Sequence, residues 1–97
     1  MADFYLRPKA VSDLEEIWDY TVRMWDENQA ERYLRLLNVG FIDLTIHPHL
    51  GRSCDAIRQE YRFFRVGSHM IFYRLINDGI EVVRVLHQSM DFERHLP

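Results

Sequence analysis

The chain predicts an α+β fold of two layers in the order β-α-α-β-β-β. A helical hairpin packs on a four-stranded, mainly antiparallel sheet, and a short helix ends the chain. Three observations carry this. Two segments with apolar residues at spacings of three and four follow one another with almost no loop, and helices so joined run antiparallel. The last third divides into apolar runs at Gly67-Ser68 and Asn77-Asp78-Gly79, both hairpin-turn sequences. No repeat, low-complexity tract or Pro/Gly/Ser linker interrupts the 97 residues, so one domain is expected over 1–97.

The first strand is short. Phe4 and Leu6 alternate with polar neighbours from Asp3 to Arg7, and Pro8 closes it. Val11, Leu14, Ile17, Trp18, Thr21, Val22 and Trp25 then form the apolar stripe of a helix, with both tryptophans read as core. Asp26 and Gln29 suit a capping box, in which the Asp26 carboxylate accepts N–H bonds from the first turn of a second helix. That helix carries Ala30, Tyr33, Leu34, Leu37, Phe41 and Leu44 on its stripe and runs to about His47, where Pro48 ends it. Residues 49–56 read as a loop. Strands follow near 60–66, 69–76 and 80–87, and Asn77-Asp78-Gly79 suits a type I′ turn because these residues tolerate positive φ. Met70 to Tyr73, Val82-Val83 and Val85-Leu86 are continuous apolar runs, which predicts a sheet covered on both faces. The hairpin covers one face. The other needs residues 89–97, another protein, or both.

Composition narrows the function. With 47% hydrophobic and 13% aromatic residues the chain is not disordered. No apolar run approaches the ~20 residues of a membrane helix. Met1-Ala2-Asp3-Phe4 lacks the basic and apolar regions of a signal peptide, so a cytoplasmic location is expected. Cys54 stands alone, in keeping with a reducing compartment. The net charge is −3: residues 1–50 hold five Lys/Arg against nine Asp/Glu (−4), and 51–97 hold seven Arg against six (+1). A domain that grips phosphates unaided carries a strong basic excess, so autonomous nucleic-acid binding is disfavoured.

Few residues suggest chemistry. His47-Pro48-His49 holds two metal-type ligands with nothing to complete a zinc set, and no metal or cofactor is expected. Cys54 has no obvious activating neighbour. Asp91 and His95 read as a solvated pair on the short last helix. Arg58, Arg62 and Arg65 flank Tyr61, Phe63 and Phe64. That mixture can stack on bases or dock a protein, or the arginines can pair on a strand face with Glu60, Glu81 and Asp78.

Several groups of residues stand in a telling order. Asp13-Leu14-Glu15-Glu16-Ile17-Trp18, Tyr20, Trp25, Gln29-Ala30 and Tyr33 come first. Pro48, Gly51-Arg52, Asp55, Ile57-Arg58 and Tyr61-Arg62 follow. The densest set is Gly67-Ser68-His69, Ile71-Phe72-Tyr73-Arg74, Arg84-Val85-Leu86-His87, Met90-Asp91 and His95-Leu96. In order and spacing these residues resemble the ParE toxins of bacterial type II toxin–antitoxin operons. Two positions depart from that pattern: Asp26 and Glu60 stand where Gly is common. Asp26 caps a helix well, whereas Glu60 tolerates positive φ poorly, so the turn into the second strand is expected to differ in detail.

The resemblance implies a toxin that inhibits DNA gyrase by binding it and is neutralised by a ParD-type antitoxin. Operator DNA would be reached only through the antitoxin, with no membrane and no small-molecule substrate involved. Tyr20, Trp25, Tyr33 and Leu37, large side chains at the margins of the two stripes, are the candidates for antitoxin binding. Tyr61, Arg62, Met90, Arg94 and His95 are the candidates for gyrase binding, on a chain end expected to be separable from folding. The related RelE toxins cleave messenger RNA on the ribosome, and Arg84 and His87 would be the catalytic pair here if that alternative held. Against it, Met70 and Phe92 stand where those toxins often place a cation and a phenol. No catalytic residue is therefore expected, and the chain reads as a binder rather than an enzyme.

Overall fold

In the computed structural model, which describes residues 3–97, β1 (Asp3–Leu6) leads into α1 (Pro8–Met24), and α2 (Glu27–Ile46) returns across it. Then come β2 (Arg52–Ser53), β3 (Arg62–Val66), β4 (His69–Ile76), β5 (Gly79–His87) and the single turn α3 (Phe92–His95). The sheet order is β1-β5-β4-β3-β2, with β1 parallel to β5 and the remaining pairs antiparallel. The α+β class is as predicted, with one addition. The expected loop 49–56 contains the two-residue β2, which makes a fifth strand. Buried Tyr73 creates it: its hydroxyl donates to Pro48 O (2.7 Å) and accepts Gly51 N–H (3.0 Å). That fixes the turn after α2 and lays Arg52 and Ser53 beside Phe63 and Arg62.

Local chemistry sets the helix ends. Pro8 opens α1 as well as closing β1, since its missing N–H costs nothing in a first turn. Asp26 caps α2 as expected, accepting Gln29 N–H at 2.8 Å. The α2 stripe is also as expected, with Ala30, Leu37, Phe41 and Leu44 buried. The α1 stripe is so only in part: Leu14, Ile17, Thr21 and Val22 are buried or half-buried. Ala10, Asp13, Ile17 and Thr21 face inward, while Val11, Trp18 and Trp25 are 42%, 37% and 72% exposed. Both inward polar groups are satisfied: Thr21 donates to Ile17 O (2.7 Å), and Asp13 meets Arg84. The tryptophans are therefore surface residues, not core.

The turn between β4 and β5 also differs from expectation. Asn77 and Asp78 keep negative φ, which excludes type I′, and only Gly79 is positive, at +147°. Glycine is needed there for room. Asp3 N–H bonds Asp78 O (2.9 Å), and a Cβ on Gly79 would fall 1.8 Å from Asp3 O. At the other hairpin, Gly67 at φ +57° followed by Ser68 gives the type II′ pattern.

Two clusters sandwich the sheet. On the helix side lie Leu37, Phe41, Leu44, Ile71, Tyr73, Ile80, Val82 and Val85. On the other side Cys54, Phe72, Leu86 and Leu96 are joined by Phe63, Met70 and Phe92. The chain thus covers its own second face. The Phe92 ring packs 4.9 Å from Phe72, and Arg58 donates to the carbonyls of Glu93, Leu96 and Pro97. Leu96 is 5% exposed, so the chain end cannot be trimmed without opening this cluster, and its expected independence from folding does not hold.

Glu60 takes the strained conformation itself, at φ +70°, with its N–H bonded to Asp55 Oδ1 (3.0 Å). A left-handed backbone costs a side-chain-bearing residue about 1–2 kcal/mol, and glycine's greater freedom when unfolded returns about 0.5–1 of that. Glu60→Gly is expected to raise stability by up to about 1 kcal/mol, read as a higher urea midpoint at unchanged m-value. A lower midpoint would show that the Glu60 side chain makes a contribution larger than the strain.

Candidate functional site

β1 pairs with β5 only as far as Val82, so the rest of the β5 edge lies beside α1 instead of a strand. Asp13 takes the missing strand's place. Its Oδ2 accepts Val85 N–H at 2.9 Å and Arg84 Nε at 2.8 Å, and its Oδ1 accepts Arg84 Nη2 at 2.7 Å. Arg84 Nη1 donates onward to His95 O (2.9 Å). The Asp13 carboxylate raises the Arg84 pKa, chiefly through these hydrogen bonds.

Beyond this pair, under the tip of the helical hairpin, opens a groove of about 790 Å3. Tyr20 and Trp25 form one wall, Met90 and His87 the other, Tyr33 and His69 the floor, and Glu16, Asp19 and Arg23 the charged rim. The floor is ordered by one hydroxyl: Tyr33 Oη accepts Ser68 N–H (3.1 Å) and lies 2.5 Å from His69 Nδ1. Burial, and then the neighbouring His87, pushes His69 down to about 4. Its imidazole is therefore neutral near pH 7, and which of Tyr33 Oη and His69 Nδ1 donates follows the tautomer, since the Tyr33 hydroxyl also has Val66 O within reach at 3.5 Å. His87 meets His69 edge-on, with ring centroids 5.3 Å apart, and its own Nδ1 accepts Ser89 N–H at 3.1 Å. The result is an aromatic trench with a neutral floor and a rim of mixed charge, two carboxylates against one guanidinium, suited to an amphipathic segment.

The residues expected to bind an antitoxin divide. Tyr20 and Trp25 are 57% and 72% exposed and Tyr33 is half-buried, all three in the groove. Leu37 is fully buried between helix and sheet and offers no surface, because it sits at the centre of the α2 stripe rather than its margin. The gyrase candidates do not form one patch. Met90 lines the groove, while Tyr61 packs in the cluster on the opposite face of the sheet. Arg7 donates to the Tyr61 hydroxyl (3.4 Å), and Arg62 is held by Gly51 O (2.6 Å) and His49 O (3.3 Å). Arg94 and His95 are exposed on α3. Arg58, Arg62 and Arg65 all bond backbone carbonyls, not Glu60, Glu81 or Asp78. Glu81 pairs instead with Arg7 (2.9 Å) and Arg74 (2.7 Å), and Asp78 accepts from Tyr5. Of the alternative catalytic pair, His87 reaches the groove but Arg84 is engaged by Asp13. Asp13, Glu16 and His69 are site residues that sequence reasoning did not single out. Asp13 had a signal: it shares the inward period of Ala10, Ile17 and Thr21, where a carboxylate requires a partner.

The His69 shift makes stability depend on pH. The unfolded imidazole titrates near 6.5 and the folded one near 4. The unfolded chain therefore takes up the proton first, and stability is full above about pH 6.5 and falls as pH drops toward 4. From pH 7.5 to 5.5 the loss attributable to His69 is about 1 kcal/mol. His69→Asn, which keeps a hydrogen-bonding partner for Tyr33, should flatten that slope in urea titrations. An equal slope in the variant would assign the dependence elsewhere.

The model for the family described as "ParE toxin of type II toxin-antitoxin system, parDE" matches residues 4–92. Toxin ParE1 of Mycobacterium tuberculosis is 49% identical over 94 residues, covering 96% of each chain. Toxin ParE1 of Caulobacter vibrioides is 38% identical over 96 residues, covering 99% of each. A solved chain from a chromosomal ParDE TA system of P. aeruginosa superposes with a TM-score of 0.78 over 90% of this chain and 96% of that one. At 17% identity, that likeness speaks for the fold alone. The family match takes in β1, the helical hairpin, the whole sheet and the groove between them, and the chain belongs to the ParE toxin family of type II toxin–antitoxin systems.

Proposed function

We propose that this toxin is neutralised by a ParD-type antitoxin whose tail occupies the groove beneath the hairpin tip, and that the free toxin acts by binding DNA gyrase. The observation that carries the first half is the convergence of two exposed aromatics, Tyr20 and Trp25, on a concave surface bordered by a sheet edge. Tyr and Trp dominate binding hot spots. An amphipathic tail supplies apolar anchors at helical spacing, and an extended one can pair with the end of the β5 edge at His87, beyond the stretch that Asp13 occupies. Glu16 and Asp19 favour basic residues in that tail. Operator DNA is then reached through the antitoxin, since a net charge of −3 offers no general attraction to phosphates.

Binding is favoured over RNA cleavage by what surrounds the alternative pair. Cleavage needs a base, an acid and a cation at the scissile phosphate. Arg84 already has Nε and Nη2 on Asp13 and Nη1 on His95 O. Phe92 has no proton to give and is packed on Phe72. For the gyrase surface, the exposed Arg94 and His95 side chains and Met90 remain the candidates, with Tyr61 and Arg62 at the opposite face. Met90 also lines the groove, so an antitoxin tail there would cover part of the target surface.

Two measurements test this reading. Tyr20→Ala and Trp25→Ala should each weaken antitoxin binding by about 30-fold or more, equivalent to roughly 2 kcal/mol, while leaving the thermal midpoint nearly unchanged. Unaltered affinity in both would remove the tail from the groove. Separately, the toxin should inhibit supercoiling by purified gyrase and accumulate cleaved DNA, with messages left intact. His87→Ala should change that inhibition less than about twofold, whereas a nuclease relying on His87 would lose about 10²–10⁴ in rate. Message cleavage in the ribosomal A site that vanished in a folded His87→Ala variant would reverse the assignment.

A further inference from the structure

We propose that the rim of the groove reads the charge order of the segment it binds, taking a basic residue against Glu16 and Asp19, an apolar anchor at Tyr20 and an acidic residue against Arg23. The proposal rests on the reading above that an antitoxin tail fills the groove, and it adds how that tail is oriented and told from others. The free carboxylates and guanidinium of the groove all lie on one helix. Asp13 is engaged by Arg84, and His69 is neutral near pH 7. Glu16, Asp19 and Arg23 remain, all exposed on α1, and among the described residues none of the three has a salt-bridge partner.

Helical spacing sets the order. Glu16, Tyr20 and Arg23 are separated by four and three residues, so they share one line along α1. At 1.5 Å per residue, Glu16 and Arg23 stand about 10 Å apart along the axis. The acidic end points toward the first turns of α1 and the basic end toward the hairpin tip beside Trp25. This charge is not consumed within the helix. Asp19 and Arg23 have the i,i+4 spacing of a pair, yet Arg23 Nε meets only the Asp19 carbonyl, at 3.4 Å. A cation in the last turn suits the helix dipole, a role that leaves the guanidinium free for a partner. A tail with basic and acidic residues about 10 Å apart, two helical turns or three extended residues, meets both ends of the rim at once. Reversed, the same tail sets like charge against like charge, which is how an interface rejects a wrong partner or a wrong direction.

Binding of the full chain to the ParD-type antitoxin of its own operon, followed by surface plasmon resonance at low salt, tests this. Glu16→Lys and Arg23→Glu should each weaken binding about tenfold. The double swap of Glu16→Arg with Arg23→Glu leaves the net charge at −3 but inverts the order, and it should weaken binding about 100-fold. Exchanging the tail's own basic and acidic residues should restore affinity for the double swap, which a misfolded variant would not allow. Glu15→Lys changes the net charge as Glu16→Lys does but lies outside the groove, and it should shift affinity less than about twofold. Raising salt from about 0.05 to 0.5 M should shrink the penalty of the double swap several-fold, since exposed charges are screened. A double swap that binds like the unaltered chain, or a Glu15→Lys loss equal to that of Glu16→Lys, would show that only net charge matters and would overturn the proposal. Tyr20→Ala in the same assay separates the two readings. A loss there beside an unaffected double swap sinks the charge order alone, whereas no loss in either removes the tail from the groove as well.

Discussion

Asp13 and Arg84 stand 71 residues apart in sequence and meet in two parallel hydrogen bonds, at 2.7 and 2.8 Å. The same carboxylate accepts Val85 N–H, and the same guanidinium holds His95 O. One buried pair therefore joins α1, the unpaired half of β5 and the chain end. Removing one partner of such a pair typically costs about 3–5 kcal/mol, because the other charge is left uncompensated. The contact also resolves a backbone problem. β1 is too short to pair the whole of β5, and the orphaned N–H of Val85 finds a carboxylate in place of a carbonyl.

From this linkage follows the distribution of free surface. With His95 tied to Arg84 and Arg58 holding the last carbonyls, Phe92 and Leu96 are pressed onto Phe72 and Leu86. The second face of the sheet is thus covered by the chain's own last residues. The apolar surface that remains lies on the helical layer, at the groove under the hairpin tip and along the outside of α2. The two are separate.

Much of the fold was legible from periodicity and turn chemistry: both helices, the three long strands, the Asp26 cap and the two-sided cover of the sheet. Failures came where a local pattern had to predict a distant partner. Trp18 and Trp25 look like core to any hydrophobic count, yet Asp13 turns α1 so that Ala10 and Ile17 face inward beside it. Asn77-Asp78-Gly79 carries a type I′ signature, but the approach of Asp3 gives Gly79 a different task. β2 is two residues long and owes its existence to the Tyr73 hydroxyl. Of the groove, the large exposed aromatics were readable as candidates, while the His69–Tyr33 floor was not. It depends on the Gly67-Ser68 turn bringing β4 against α2, a contact between residues 33 and 69 that no period encodes.

The arginines make the same point for function. Residues 51–97 are rich in Arg, and from composition alone that half of the chain could cradle a phosphate backbone. In the fold, Arg58, Arg62 and Arg65 satisfy carbonyls at loops and at the chain end, Arg74 pairs with Glu81, and Arg84 pairs with Asp13. A guanidinium with its donors occupied and partly buried must lose those bonds before it can bind a ligand phosphate, and the lost bonds offset the gain. The acidic half of the chain meanwhile supplies Glu16 and Asp19 to the groove. Five of the seven arginines in residues 51–97 thus serve to close the fold, while Arg52 and Arg94 stay exposed.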